Sequence, residues 1–161
     1  MSKSEIILLL SPVVDASAVF ASTLEILKKF EIPVLVTPMK RKGAVAHPLN
    51  RLWRKENIFC VIAHARIDII RWAKKHFADT PILLAPHGEN GVEALEALIR
   101  ATQHPAGEPM AVFALGKAGA TNTALFAMAM LALKRPTIRN KLLKFRKQQT
   151  QAVLAKPIPG K

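Results

Sequence analysis

Histidine is the side chain best suited to moving protons near neutrality, because its ordinary pKa lies there. Two of the five histidines directly follow predicted strands: His64 comes after I-F-C-V-I-A, and His87 comes after I-L-L-A-P. His64 therefore borders any pocket formed where those strands end, and it is the histidine that could best do chemistry. The interpretation that we favour for His64 is nevertheless a structural imidazole bonded to nearby backbone, and for His87 an ordinary loop position.

The histidines do not resemble a metal site. No two of the five are four residues apart, which is the spacing that places two metal ligands on one helix face. The sequence therefore predicts no metal ion.

Gly116 and Gly119 lie between a predicted strand and a predicted helix, in the segment A-L-G-K-A-G-A-T-N-T. Glycine permits backbone angles that other residues avoid, and without a Cβ it lets a ligand or another backbone approach closely. Both a ligand-binding role and a packing role stay open for these two residues.

The helix predicted for residues 119–133 interleaves alanines with leucine, phenylalanine and methionine, and it is apolar on every side. Such a helix must be buried all round. In a chain of this size only one of its faces should meet the sheet, so another subunit would have to cover the rest. We therefore predict a homo-oligomer with this helix at its interface, in preference to a cofactor site there.

Basic residues are concentrated in two regions. Residues 40–75 contain ten Lys/Arg against two carboxylates, and the residues from Lys134 onward contain nine and no carboxylate, within a formal net charge of +13. This imbalance favours an anionic small molecule, nucleic acid or an acidic protein as partner, although a solvated basic surface gives the same pattern. Trp53 and Trp72 could stack on bases, but filling gaps in the core is the interpretation that we favour, so nucleic acid is the less favoured partner.

Short continuous apolar runs bounded by turn residues predict five strands covered on both faces. They are Glu5–Ser11, Val34–Thr37, Ile58–Ala63, Ile82–Ala85 and Met110–Leu115. Helical spacing is found in the segments between and after them. These segments are 16–30, about 49–57, 68–77, 91–102, 119–133 and about 137–154. The alternation predicts a doubly wound α/β fold with a parallel sheet, in which ligands bind beyond the carboxyl ends of the strands.

Two of the helices carry further local signals. Asp15 stands where the N-cap of the first helix belongs. The helix predicted for residues 91–102 is amphipathic. Its apolar face is formed by Val92, Leu95, Leu98 and Ile99.

The composition is that of a globular protein: 161 residues, 50% hydrophobic and 22% charged, which predicts a single domain over residues 1–161. Cys60 is the only cysteine, so no disulfide forms within the chain. No apolar run is long enough to cross a bilayer, and the N-terminus lacks a signal-peptide pattern. We therefore expect a cytoplasmic protein without membrane contact.

The segment G-K-A-G-A-T-N-T-A-L, followed at a distance by K-F-R-K-Q-Q-T-Q-A-V-L, resembles the C-terminal signature of class I carboxyaminoimidazole ribonucleotide mutases, which act in purine biosynthesis. That signature reads roughly A-[IV]-G-x-A-G-A-x-N-A-[AG]-L and then W-R-x-x-Q-T-x-x-V-L. The preceding P-A-G-E-P resembles the family's P-x-G-[IV]-P, with Glu108 in place of an aliphatic residue. The resemblance is strong over residues 105–154 and faint before them.

This resemblance implies an α/β, flavodoxin-like three-layer fold with a five-stranded parallel sheet and an extra C-terminal helix. It also implies a homo-octamer in which residues 137–154 form an arm that reaches a neighbouring subunit. The implied reaction moves a carboxyl group from an exocyclic nitrogen of aminoimidazole ribonucleotide to a ring carbon. That reaction needs no metal or organic cofactor.

The loops that hold the family's ligand differ in this chain. The family's first loop, G-S-x-S-D, corresponds to L-S-P-V-V-D, which keeps Asp15 and leaves Ser11 as the hydroxyl for the phosphoribosyl end. The loop with the catalytic histidine, S-A-H-R, corresponds to P-M-K-R, which places Lys40 at the histidine position and keeps Arg41. Lysine would need a large fall in its pKa to act as a base there.

The family's third loop, G-A-G-G-x-A-x-L-P-G, corresponds to H-A-R-I-D-I-I-R-W-A. The family's glycines leave room for the base against bare backbone. We expect the side chains of Arg66, Ile67 and Asp68 to fill that room here.

Taken together, these residues indicate a divergent relative that keeps the oligomeric scaffold and an anionic phosphoribosyl-type ligand site, with weakened or absent carboxyl-shift activity. The alternatives are an active mutase or carboxylase of purine synthesis and a basic scaffold that binds nucleic acid. Lys40 is the candidate for the catalytic position. The candidate ligand-binding residues are Ser11, Asp15, Arg41, His64, Gly116 and Gly119.

Overall fold

The computed structural model describes residues 5–39 and 56–155. The strands in these ranges are β1 (Glu5–Ser11), β2 (Val34–Pro38), β3 (Asn57–His64), β4 (Ile82–Ala85) and β5 (Ala111–Val112). The helices in the same ranges are α1 (Ser17–Lys29), α2 (Ile67–His76), α3 (Gly91–Thr102), α4 (Gly116–Ala132) and α5 (Pro136–Leu154).

The strands form one sheet in the order β2-β1-β3-β4-β5, and every pair of neighbours is parallel. The chain adds β2 on one side of β1 and then crosses to place β3 on the other side. This order is the flavodoxin-like one, and it makes the carboxyl ends of β1 and β3 the topological switch point. The predicted fold class, with its five-stranded parallel sheet, is confirmed.

The core is built around the two central strands. Residues 7–10 of β1 and 60–63 of β3 are all 0% exposed. Helices cover both faces of a parallel sheet, so such strands are apolar without alternation. Cys60 lies in this core, and burial raises the pKa of its thiol to about 12.

Asp15 caps the start of α1. Its Oδ1 accepts hydrogen bonds from the backbone N–H of Ser17 at 2.9 Å and from the Ser17 hydroxyl at 2.6 Å. The same bonds hold the pKa of the Asp15 carboxyl below its usual value. Ala16 is the residue directly before the helix, so Asp15 satisfies an N-terminal donor from one residue further out.

The orientation of α3 differs from the expectation for an amphipathic helix. Ala97 and Ala101 are buried, whereas Val92, Leu95 and Ile99 are 70%, 52% and 46% exposed. The alanine face lies inward, although it is the less hydrophobic one. Three of the four residues of the predicted apolar stripe therefore point outward, and the fourth, Leu98, is half-buried.

Several predicted bounds needed correction. β5 has two residues instead of six, because among the described residues it is an edge strand that pairs with β4 through Ala111 and Val112 alone. α4 begins at Gly116, three residues early. The helix expected at about 49–57 falls almost entirely outside the described residues, and Asn57 is the first residue of β3.

The chain divides into two compact units, Met1–Ala124 and Leu125–Lys161. The first unit contains the whole sheet. The second contains the rest of α4 together with α5, the helix expected to form the C-terminal arm. The prediction of a single domain stays a prediction.

The apolar helix α4 is only partly buried. Its buried residues include Ala127, Met128 and Leu131, whereas Phe126 is 44% exposed. Leu133, the residue directly after the helix, is 77% exposed. Apolar side chains therefore remain on the surface, and the subunit that was expected to cover them stays a prediction. No helix in residues 5–39 and 56–155 is long and apolar enough to cross a membrane.

Candidate functional site at the carboxyl ends of the strands

The guanidinium group of Arg66 lies at the carboxyl ends of β1 and β2. Its Nη2 donates to the carbonyl oxygen of Met39, directly after β2, at 2.9 Å, and its Nη1 lies 3.5 Å from the carbonyl oxygen of Pro12, directly after β1. Nε and Nη2 also donate to the two carboxylate oxygens of Asp68, at 2.6 and 3.1 Å. We call Arg66, Asp68 and these two carbonyls the Arg66 clamp.

Local structure sets the clamp. Arg66 is the extended N-cap residue of α2, and Asp68 lies in the first turn of that helix, where a carboxylate is favoured. The Asp68 Oδ1 also accepts from the backbone N–H of Ile69 at 3.0 Å. The paired side chains of Arg66 and Asp68 are 27% and 21% exposed, so each charge is compensated where water has limited access.

The sequence led us to expect the side chains of Arg66, Ile67 and Asp68 to fill the space that glycines leave open in the family. Arg66 and Asp68 do lie among the strand ends and bond to them. Ile67 instead is 43% exposed. The guanidinium donors thus lie beside the switch point, at the ends of β1 and β2, and the protein itself already uses them.

His64, the last residue of β3, is bonded to backbone at both ring nitrogens. Its Nδ1 accepts from the N–H of Arg66 at 3.1 Å, so the proton of the neutral ring sits on Nε2, which donates to the carbonyl oxygen of His87 at 3.1 Å. Burial is the main cause that lowers the pKa of His64 to about 4. The imidazole is therefore neutral at physiological pH, with both nitrogens engaged.

This burial predicts a specific pH dependence of stability. Because the folded pKa of about 4 lies below the ordinary value of 6.5, the unfolded chain binds a proton first as pH falls. The free energy of unfolding should therefore decrease from about pH 6.5 downward, with about 3 kcal/mol lost by pH 4. Urea denaturation between pH 7 and pH 4.5 measures this loss.

The variant that tests this assignment is His64→Gln, which removes the titrating imidazole and should reduce the pH dependence. A His64 pKa near 6.5 by NMR titration of the folded chain would contradict the assignment.

Two adjacent cavities open along this edge of the sheet. The larger, of about 490 Å³, is lined by Pro12, Val13, Ala18, Val19, His64, Arg66, His87, Gly88, Glu89 and Glu93. The smaller, of about 340 Å³, is lined by Ser17, Ala18, Val19, Ala21, Ser22, Glu25, His87, Gly116, Lys117 and Ala120. Ala18, Val19 and His87 belong to both, so one ligand could span the two.

The charges of the two cavities differ. The larger one combines the Arg66 clamp with Glu89 and Glu93, whose Oε2 accepts from the N–H of Glu89 at 3.1 Å. The smaller one presents the exposed ammonium group of Lys117 beside serine hydroxyls, and its one carboxylate, Glu25, pairs with Lys29 at 3.2 Å. An anionic group fits the smaller cavity, and a group that donates hydrogen bonds fits the larger.

The predicted site residues are placed differently from one another. His64 lines the larger cavity and Gly116 the smaller. Ser11 is fully buried, its Oγ accepts from the N–H of Val13 at 3.3 Å, and it lines neither cavity. Asp15 also lines neither and is occupied in capping α1.

Gly119 is buried against backbone, since a Cβ there would overlap the carbonyl oxygen of Ala114. Gly116 has a φ of +67°, which favours glycine, and open space around it. Lys40 and Arg41 lie outside the described residues.

Reasoning from the sequence missed three residues of this edge. Lys117 lies between Gly116 and Gly119 in the segment G-K-A-G-A-T-N-T-A-L, and this position was the only feature of the sequence that pointed to a role in ligand binding. Glu89 and Glu93 flank the N-cap Asn90, whose side chain accepts from the N–H of Glu93 at 3.0 Å. Neither glutamate was assigned a role from the sequence.

A third cavity, of about 650 Å³, lies at the opposite edge, where the loop before β5 runs. Glu108, the residue in place of the family's aliphatic one, forms an ion pair there with Lys74 of α2. Ligands of such sheets bind at the other edge, so we do not consider this cavity the functional site. Among the residues that the structure describes, no group of three or more His, Cys, Asp or Glu could hold a metal ion.

Comparison with known proteins places the chain in a family. The model of the family described as AIRC, AIR carboxylase, matches residues 15–152. Over 87 residues the chain is 39% identical to the N5-carboxyaminoimidazole ribonucleotide mutase of Pseudomonas aeruginosa, a match that covers 54% of this chain and 52% of that protein. Over 79 residues it is 37% identical to the enzyme of the same name from Escherichia coli K12, covering 49% and 47%.

The region of the chain that matches these relatives thus spans about half of their length. Among solved structures, a substituted variant of PurE2 from Treponema denticola superposes with a TM-score of 0.74 over 95% of both chains at 16% identity, which supports the fold alone. The match of the family model to most of the sequence settles the wider relationship: this chain belongs to the AIR carboxylase family.

Proposed function

We propose that this chain is a divergent member of its family that binds an anionic phosphoribosyl-type ligand and has weakened or absent carboxyl-shift activity. The observation that carries the proposal is the Arg66 clamp. Its guanidinium group lies beside the switch point, at the ends of β1 and β2, and already donates to Asp68 and Met39. A substrate ring would have to displace these bonds in order to lie against the backbone there.

The acid–base chemistry at this edge supports the same proposal. Moving a carboxyl group to a ring carbon requires a proton to be taken from that carbon, which a group with a pKa near neutrality does best. His64 is bonded to backbone at both nitrogens, and its pKa is lowered to about 4. It is therefore a poor base, and Lys40 would have to replace it.

The ligand class follows from the two cavities. A phosphate suits Lys117 and the hydroxyl of Ser22 in the smaller cavity, where the Glu25 carboxylate is already paired with Lys29. Ribose hydroxyls extending past His87 would find acceptors at Glu89 and Glu93 in the larger one. A phosphoribosyl compound has this bipartite character.

An active mutase or carboxylase of purine synthesis remains the second candidate function. The match of the family model over residues 15–152 favours it, as does the name of the relatives. We also propose that the chain assembles into a homo-octamer, supported by the exposure of Phe126 and Leu133. Sedimentation showing lone protomers in dilute solution would contradict the assembly.

Two assays test the proposed function. Incubation with carboxyaminoimidazole ribonucleotide should give no ring-carboxylated product above the uncatalysed rate, and robust turnover would establish the active mutase instead. Calorimetric titration with ribose 5-phosphate should give binding that ribose does not give, and equal binding of the two, or binding of neither, would contradict a phosphate site.

Substitution of Lys117 tests whether the phosphate group binds in the smaller cavity. Lys117→Gln should weaken ribose 5-phosphate roughly tenfold, because it removes a charge-assisted hydrogen bond. Lys28→Gln removes the same charge from an exposed position that does not line either cavity, so it should leave the affinity within about twofold.

A further inference from the structure

The strongest concentration of positive charge among the described residues is on α5. Helix α5 and the two residues before it contain no carboxylate. They contain Lys134, Arg135, Arg139, Lys141, Lys144, Arg146 and Lys147.

Four of these cations share one side of the helix. At about 100° per residue, Arg139, Lys144, Arg146 and Lys147 fall within roughly 160° of arc. In the single protomer all four are exposed, and no side-chain ion pair within the described residues involves them. Ile138 and Leu142 lie on the other side and are buried, each 5% exposed. We call the four exposed residues the basic face of α5.

The basic face does not serve the stability of the helix itself. Arg139 is in the first turn, close to the positive end of the helix dipole, where cations are unfavourable, and this first turn contains no acidic residue. Lys144 and Lys147 are three residues apart, a spacing at which like charges repel. These positive charges destabilise the isolated helix, and an anionic partner that neutralises them would account for their presence.

The dimensions and side chains favour nucleic acid as that partner. Arg139 and Lys147 are eight residues apart, or about 12 Å along the axis, over which a duplex presents roughly seven phosphates. The exposed turn after Lys147 carries Gln148, Gln149 and Gln151, whose amides donate to phosphate oxygens as well.

A membrane surface fits less well. Helices that lie on lipid need a contiguous apolar face. The apolar side of α5 at Ile138 and Leu142 is buried, and the exposed Leu143 and Leu154 are separated by Arg146 and Lys147. We propose that the basic face of α5 binds the phosphate backbone of nucleic acid without sequence preference, a property separate from any phosphoribosyl ligand site.

The test is fluorescence anisotropy of the full chain with a labelled 20-base-pair duplex of mixed sequence, over a salt series. Four phosphate contacts predict a slope of log affinity against log salt of about −3.6. The triple variant Lys144→Gln, Arg146→Gln and Lys147→Gln should bind at least about tenfold more weakly at 100 mM salt and reduce the slope by about 2.7.

The matched control is Lys28→Gln, Arg71→Gln and Lys75→Gln, which removes the same net charge from exposed positions on α1 and α2. It should bind within about threefold of the wild type. Equal losses in the two triple variants would overturn the proposal, because net charge alone would then explain binding. So would a wild-type slope near zero, or tighter binding to phosphatidylserine vesicles or to polyglutamate than to the duplex.

Discussion

Replacing Arg66 with alanine is expected to lower the free energy of unfolding by about 2–3 kcal/mol. The variant leaves the half-buried Asp68 carboxylate without its guanidinium partner and removes the donors to the carbonyls of Met39 and Pro12. Breaking one side of a buried ion pair costs about 3–5 kcal/mol, and partial exposure reduces that figure. Urea denaturation at pH 7 measures the change.

Arg100 supplies a control of the same residue type. It forms an ion pair with Glu96 on α3, four residues away, and the two side chains are 49% and 59% exposed. Arg100→Ala should therefore cost no more than about 0.5 kcal/mol. Arg66→Lys should recover only a fraction of the loss, because lysine cannot form the two-pronged bond to Asp68. Equal small losses in Arg66→Ala and Arg100→Ala would show that the Arg66 clamp does not hold the strand ends together.

Gly119→Ala should be the most damaging glycine substitution in the recognised motif, lowering the free energy of unfolding by about 3 kcal/mol. The new Cβ would overlap the backbone carbonyl of Ala114, so the start of α4 would have to move away from the end of β5. Backbone cannot yield as a flexible side chain does, which places this change at the upper end of overpacking penalties.

Substitutions at two other glycines distinguish the effect of the Cβ overlap at Gly119 from the effect of replacing a glycine as such. Gly91 begins α3 with nothing near its missing Cβ, so Gly91→Ala should leave stability unchanged or raise it by about 0.5 kcal/mol. Gly116→Ala also meets no atom but must keep a φ of +67°, which costs about 1 kcal/mol. Thermal melting of the three variants gives the ranking, and a Gly119→Ala variant as stable as Gly91→Ala would refute the packing role.

Local sequence determined much of the fold. The uninterrupted apolar run of β1 predicted a strand covered on both faces, and Gly91, following the N-cap Asn90, fixed the start of α3. The inward face of α3 was not predictable from hydrophobicity. Alanines at 97 and 101 turn inward in place of the larger side chains of Val92 and Leu95, which the pattern had favoured.

The geometry of the candidate site was harder to predict from the sequence, because most of its hydrogen bonds join residues that are far apart in the chain. The pairing of Arg66 with Asp68 is local, but the carbonyls of Met39 and Pro12 lie 27 and 54 residues from Arg66. The acceptor for His64, the carbonyl of His87, is 23 residues away. A backbone carbonyl has no side-chain signature, so only the folded chain reveals which ones meet a donor.

The position of Cys60 in the sheet makes the chain convenient for site-directed labelling. Maleimide dyes react with the thiolate, and a buried thiol with a pKa of about 12 supplies almost none of it at neutral pH. The native cysteine can therefore stay in place while a second one is introduced at exposed Ala21, which lines the smaller cavity. A fluorophore attached there would report on occupancy of the neighbouring cavity from a single defined position.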